Sequence, residues 1–157
     1  MNNYFILLAS GQSKRFNSKK PKQFITYKNK ALFEHSLDKA IDSKLFKKII
    51  LVVKNKNQIK KKYGKNVIII KGGKERSDSS LIALKYIKKF KPNNVLIHDA
   101  ARPNFSTKLL KKLIVSLKKN KVTIPVINSK DSIKYKIKNQ LFNLNRNNSF
   151  LTQTPQA

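Results

Sequence analysis

The chain has 157 residues, the length of one domain, and its 39% hydrophobic content is enough for a real core. It contains no cysteine, which excludes disulfides and thiolate metal sites. Its formal net charge of +29 raises nucleic acid as a partner, yet the lysines run through the whole chain and outnumber arginine 32 to 4. Phosphate recognition on nucleic acid favours the planar arginine fork, so the excess reads as solvated lysine-rich faces, and no nucleic-acid partner is expected. Against that background each arginine is expected to be present for its geometry: Arg15, Arg76, Arg102 and Arg146. The seven acids are equally sparse.

In chain order, "YFILLA" (4–9) predicts a buried strand. The run is too short for a signal-peptide core or a membrane span, so a cytoplasmic protein without a membrane partner is expected. "ALFEHSLDKAI" (31–41) predicts a helix with Leu32, Phe33, Ser36, Leu37, Ala40 and Ile41 on one face. "KIILVVK" (48–54) and "VIIIK" (67–71) predict the second and third strands. "SDSSLIALKYIKKF" (77–90) predicts a helix with Leu81, Leu84, Ile87 and Ala83 inward. "NVLIHD" (94–99) predicts the fourth strand, and "TKLLKKLIVSLKK" (107–119) a helix burying Leu109, Leu110, Leu113, Ile114 and Leu117. "VTIPVI" (122–127) predicts a fifth strand. Beyond Val126, "SIKYKIKNQLFNLNR" reads as one or two extended strands away from the helix-wrapped core.

Short, continuous apolar runs separated by helices predict a mostly parallel sheet covered on both faces, a doubly wound α/β domain. Such sheets bind ligands beyond the carboxyl ends of their strands. That edge receives "ASGQSKR", "KGGKER" and "HDAARP". In the first, Gly11 permits close backbone approach to a ligand, and Arg15 and Lys22 add cations; a plain glycine turn is the competing reading. In the second, two glycines precede a helix that Ser77, Asp78 or Ser79 could cap, and whose free amides could bond a base or phosphate. In the third, Asp99 could hold a divalent cation or cap the following loop. His98 reads equally as a packed strand residue or a ligand. A P-loop, a dinucleotide fingerprint and a G-x-S-x-G elbow are all absent from the sequence, and two histidines without cysteine make a zinc site improbable.

Taken together, "LLASGQSKRF", "PKQF", "LFEHSL", "GGKERSDS", "HDAARP", "DSIK" and "TQTPQ" resemble, in order and spacing, the 2-C-methyl-D-erythritol 4-phosphate cytidylyltransferase family of the non-mevalonate isoprenoid pathway. The resemblance covers essentially the whole chain. It implies a Rossmann-like nucleotidyltransferase fold and transfer of CMP from CTP, with magnesium, to a sugar-alcohol phosphate, releasing pyrophosphate. It implies that Arg15 and Lys22 stabilise the pentacoordinate transition state, and that Ala9, Ser10 and Gly11 contact the nucleotide through backbone. Gly73, Lys74 and Ser79 would read cytosine; Asp99 and Ala100 would lie beside ribose, phosphates and Mg2+. Arg102, Ser132, Arg146 and Thr154 would form the second-substrate side. The family also implies a homodimer through an extended arm, here 128–147.

The chain departs from the family pattern at Ser10, where alanine is usual, at Ser13, at Lys74, and at Ser132, which replaces threonine. Family members continue well beyond "TQTPQ", so residues 1–157 are expected to be one C-terminally incomplete nucleotidyltransferase domain. Two alternatives carry different predictions. A cytidylyltransferase for another alditol phosphate, such as ribitol 5-phosphate, would differ in its second substrate. A lysine-rich nucleic-acid-binding module would bind with steep salt dependence, and leaves "HDAARP" and "GGKERSDS" unexplained.

Overall fold

The computed structural model describes residues 2–13 and 20–157. Strand β1 (Asn3–Ala9) is buried along its whole length and forms the axis of the molecule. A short hairpin, β2 (Thr26–Tyr27) and β3 (Lys30–Ala31), turns through Lys28 and Asn29, both at positive φ, and leads into helix α1 (Leu32–Asp42). There follow β4 (Lys48–Val53), β5 (Val67–Lys71), α2 (Arg76–Lys88), β6 (Asn94–Asp99) and α3 (Thr107–Ser116). Among the described residues the central sheet has four strands in the order β5-β4-β1-β6, all parallel. The continuous apolar runs of these strands follow from burial on both faces.

Side chains alternate across the sheet, so β1 feeds two separate cores. Phe5, Leu7 and Ala9 join Phe33, Leu37 and Ala40 of α1 and Leu110, Leu113 and Ile114 of α3 on one face. Tyr4, Ile6 and Leu8 join Ala83 and Ile87 of α2 on the other. The helices begin where polar groups meet their orphan amides. Glu34 reaches back to accept from the Ala31 amide (2.9 Å), Asp78 accepts from the Glu75 amide (3.0 Å), and Ser106 Oγ accepts from the Leu109 amide (3.2 Å).

Two expectations are corrected. On α2 the buried positions are Ser79, Ala83 and Ile87, while Leu81 and Leu84 point to solvent at 52% and 38% exposure. The small residues are the ones that let this helix approach the sheet. The stretch 122–127 does not add a fifth parallel strand. Pro125 lacks an amide proton for a ladder, and Val122 and Ile124 face outward. Only β7 (Val126–Asn128) is extended in a sheet, and it pairs antiparallel with β10 (Phe150–Thr152). The place beside β6 is taken by the end of the chain: Gln156 exchanges two backbone hydrogen bonds with Ile97 (2.7 and 2.9 Å), and Ala157 exchanges two with Thr123. Between β7 and β10 runs a fully exposed antiparallel hairpin, β8 (Lys134–Ile137) and β9 (Gln140–Asn143), with Tyr135 stacked on Phe142. No helix of the described residues is long and apolar enough to cross a membrane.

Candidate nucleotide site at the carboxyl edge of the sheet

β1, β5 and β6 deliver their C-terminal loops to one edge. The loop after β1 starts with Ala9 and Ser10, both buried, and reaches the surface at Gly11. Its shape is set by Gln23, a buried residue on the returning chain. Gln23 Nε2 donates to the carbonyls of Ala9 (2.8 Å) and Gly11 (2.6 Å), while its Oε1 accepts from Ser13 Oγ (3.2 Å). Ser13 Oγ in turn accepts from the Lys22 amide (3.0 Å), so the "PKQF" segment and the glycine loop are one hydrogen-bonded unit. Lys22 is exposed at its rim. Arg15, the other expected catalytic cation, lies outside the described residues.

The loop after β5 passes over the end of β4, where the Gly72 amide donates to Val53 O (2.8 Å). It then meets the β1 loop directly. A Cβ on Gly72 would fall 2.7 Å from Ser79 Oγ and 2.8 Å from both Cβ and Oγ of Ser10. One on Gly73 would collide with the Asp78 side chain. Glycine is thus required here by close approach. Ser79, expected to read cytosine, is fully buried; its hydroxyl accepts from the Gly73 amide (3.1 Å), donates to Glu75 O (3.0 Å) and lies 2.7 Å from Ser10 Oγ. Lys74, on the same side, is exposed.

At the end of β6, Asp99 stands between two guanidinium groups: Arg76 Nε at 2.9 Å from Oδ1, and Arg102 Nε at 3.5 Å from Oδ2. Arg76 comes from the first turn of α2, so this pair ties the β5 loop to the β6 loop. The backbone that follows is held from α1. Ser36 Oγ donates to the Ala100 carbonyl (3.0 Å), and Lys39 Nζ donates to the carbonyls of Pro103 (2.7 Å) and Phe105 (3.2 Å). Ala100 itself is buried and donates its amide to Leu8 O (3.0 Å). His98 resolves as a packed strand residue. Its ring is fully buried against Phe105 and Phe5, and one nitrogen, Nε2, lies 2.9 Å from Arg102 O. Burial pushes its pKa down to about 4 against the smaller opposing effect of that hydrogen bond, so the ring is neutral near neutral pH and Nε2 donates.

The second-substrate residues are less gathered. Arg102 belongs to the Asp99 cluster. Ser132 is exposed before β8, Arg146 opens a short exposed turn after β9, and Thr154 is half-buried at the end of the chain. Among the described residues no three His, Asp or Glu side chains gather around a common point. Gln23, Ser36 and Lys39 are the positioning residues that the sequence reading missed. Gln23 sits in the quoted "PKQF" segment, which was its one available signal.

An open parallel sheet whose glycine loops and single paired carboxylate meet at its carboxyl edge defines a nucleotidyltransferase-type α/β domain. The IspD family model, 2-C-methyl-D-erythritol 4-phosphate cytidylyltransferase, matches residues 4–157, and the chain belongs to that family. It is 55% identical over 159 residues to the bifunctional enzyme IspD/IspF of Pelagibacter ubique, covering 100% of this chain and 43% of that protein. It is 32% identical to the 2-C-methyl-D-erythritol 4-phosphate cytidylyltransferase of Thermotoga neapolitana, covering 99% of this chain and 72% of the other. Among solved structures, the bifunctional IspDF of Campylobacter jejuni superposes with a TM-score of 0.82 at 32% identity, covering 99% of this chain and 40% of that one. The 4-diphosphocytidyl-2C-methyl-D-erythritol synthase of Anaerococcus prevotii gives 0.81 at 30% identity, with 99% and 68% covered. The chain therefore spans less than half of the two bifunctional proteins.

Proposed function

We propose that this chain forms the CTP-binding part of a 2-C-methyl-D-erythritol 4-phosphate cytidylyltransferase acting in the cytoplasm in isoprenoid synthesis. The observation that carries the reading is the meeting of three loops, "ASG", "GGKERS" and "HDAARP", at one edge of the sheet in a member of this family. A phosphate oxygen of the sugar-alcohol phosphate attacks the α-phosphorus of CTP, and the bond to the bridging oxygen breaks as pyrophosphate leaves. This chemistry needs alignment and charge stabilisation more than covalent participation. Ala9, Ser10 and Gly11 offer backbone to the nucleotide, and the Gly73–Lys74 turn, held by Ser79, faces the base. Arg15 and Lys22 stabilise the added charge on the α-phosphoryl group as it becomes pentacoordinate.

Asp99 with Ala100 is the candidate support for Mg2+. A lone, partly exposed carboxylate suits an ion that takes one or two carboxylates plus substrate phosphates. Each of its oxygens has one arginine contact, which leaves further lone pairs for an ion that then competes with the two guanidinium groups for the same charge. Magnesium, when bound, supplies charge neutralisation to the triphosphate. Arg102, Ser132, Arg146 and Thr154 face the second substrate, and the exposed β8–β9 hairpin within 128–147 is the arm through which a homodimer would form.

The test is calorimetric titration with CTP and magnesium, with UTP and ATP as controls, at two salt concentrations, followed by turnover with 2-C-methyl-D-erythritol 4-phosphate against ribitol 5-phosphate. Magnesium-dependent binding that prefers CTP, and preference for the methylerythritol substrate, support the reading. Binding that ignores the base and vanishes with salt overturns it.

A further inference from the structure

Two buried hydroxyls, Ser10 Oγ and Ser79 Oγ, join the β1 and β5 loops. Ser79 Oγ has three polar neighbours: the Gly73 amide at 3.1 Å, the Glu75 carbonyl at 3.0 Å and Ser10 Oγ at 2.7 Å. A hydroxyl offers one proton and two lone pairs. The Gly73 amide can only donate, so it takes one lone pair. The Glu75 carbonyl can only accept, and it also accepts from the Ser79 amide (3.1 Å). The Ser79 proton goes to Glu75 O or to Ser10 Oγ, and in either case the 2.7 Å Ser10–Ser79 hydrogen bond is made. The Ser79 rotamer is held from three sides.

From these contacts we propose that the Ser10 side chain is a positioning residue of the nucleotide site. It acts through Ser79 to fix the Gly72–Gly73 turn. This rests on the proposed CTP-binding function and adds a role for the side chain, distinct from any contact the Ser10 backbone makes. The packing supports it. Ser10 and Ser79 are at 9% and 0% exposure, and Gly72 is pressed against both hydroxyls with no room for a methyl group. Loss of the Ser10 hydroxyl removes one of the three contacts that hold Ser79 and so loosens the Gly73 amide that Ser79 binds. The turn leads straight into the first turn of α2, whose Arg76 touches Asp99. A loosened turn therefore misplaces both the base side and the carboxylate side of the pocket.

The test uses Ser10→Ala, Ser79→Ala, the double variant and Ser10→Cys, read in two ways. The first reading is hydrogen exchange of the Gly73 amide without nucleotide. The second is the Kd for CTP with magnesium, beside UTP. Ser10→Ala is expected to speed Gly73 exchange and to weaken CTP binding, each by roughly three- to tenfold, the range a net buried hydrogen bond supplies. The double variant should then be little worse than Ser79→Ala alone, because both act on one unit. Ser10→Cys restores volume but only a weak donor, so it should resemble Ser10→Ala; full rescue by cysteine would reduce the role to packing and overturn the proposal. Unchanged Gly73 exchange in Ser10→Ala, or additive effects, would overturn it as well. Failure of the unsubstituted protein to bind CTP would instead count against the proposed function, while Gly73 exchange still decides whether Ser10 holds the turn.

Discussion

His98 provides a pH-dependent stability whose size follows from its surroundings. The ring is sealed between Phe5 and Phe105, and desolvation lowers its pKa from 6.5 to about 4. The native state thus binds fewer protons than the unfolded chain between these values. The contribution is complete above about pH 6.5, is lost progressively as pH falls towards about 4, and changes no further below that. The full shift corresponds to about 3 kcal/mol, of which about 2 kcal/mol is lost between roughly pH 7 and pH 5. The assay is urea unfolding of the protein free of nucleotide and divalent cation, at several pH values in that window, for the wild type and His98→Gln. Glutamine keeps an N–H for the Arg102 carbonyl and cannot titrate. Its baseline stability will be lower because the ring contacts are lost, so the pH slope is the quantity compared. The wild type should lose about 2 kcal/mol more than the variant across the window. Parallel curves would refute the argument that His98 is held neutral by burial.

Gly72→Ala should destabilise by about 1–3 kcal/mol, because its methyl group must displace two buried hydroxyls; thermal unfolding checks this, and an unchanged Tm would contradict the close approach. Gln23→Leu strips the Ala9 and Gly11 carbonyls of their shared donor and should cost about 1–3 kcal/mol in chemical denaturation. Gln23→Glu should be worse near neutral pH and partly recover on acidification, since a protonated carboxyl can donate again. In a cytidylyltransferase assay, Arg15→Ala and Lys22→Ala should each lower kcat about a hundredfold while leaving the unfolding midpoint nearly unchanged. Normal turnover in both variants would remove their assigned roles. Arg146→Lys should raise KM for the second substrate more than for CTP, because a point charge does not replace the two-pronged fork.

The parallel sheet was legible because β1, β4, β5 and β6 are uninterrupted apolar runs, which is the pattern burial on both faces demands. The inward face of α2 was not legible. Leucine outweighs serine in any hydrophobic reading, yet Ser79 and Ala83 face the sheet because their size allows the helix to come close. The stretch 122–127 looked like a strand from its valines and isoleucines, but Pro125 and the returning chain end give the edge of β6 to Gln156 instead. In the site, glycines and arginines stood out against a lysine background; Arg76 and Arg102 do meet Asp99, Gly72 and Gly73 pack against Ser10, Ser79 and Asp78, and Arg146 stands apart. Lys39 was hidden by that same background. Gln23 left no periodic signal, since its partners are two main-chain oxygens that exist as a target only after the chain has folded back.

The division of β1 between two cores reaches into the pocket. The Gly72–Gly73 turn belongs to the layer of α2, packed on Tyr4, Ile6 and Leu8, whereas the Asp99–Ala100 corner is fastened by Ser36 and Lys39 to the layer of α1. The turn and the corner are thus tied to opposite faces of one sheet. The Arg76–Asp99 ion pair joins the two directly, and because its side chains are half-exposed and partly exposed, that tie weakens as ionic strength rises.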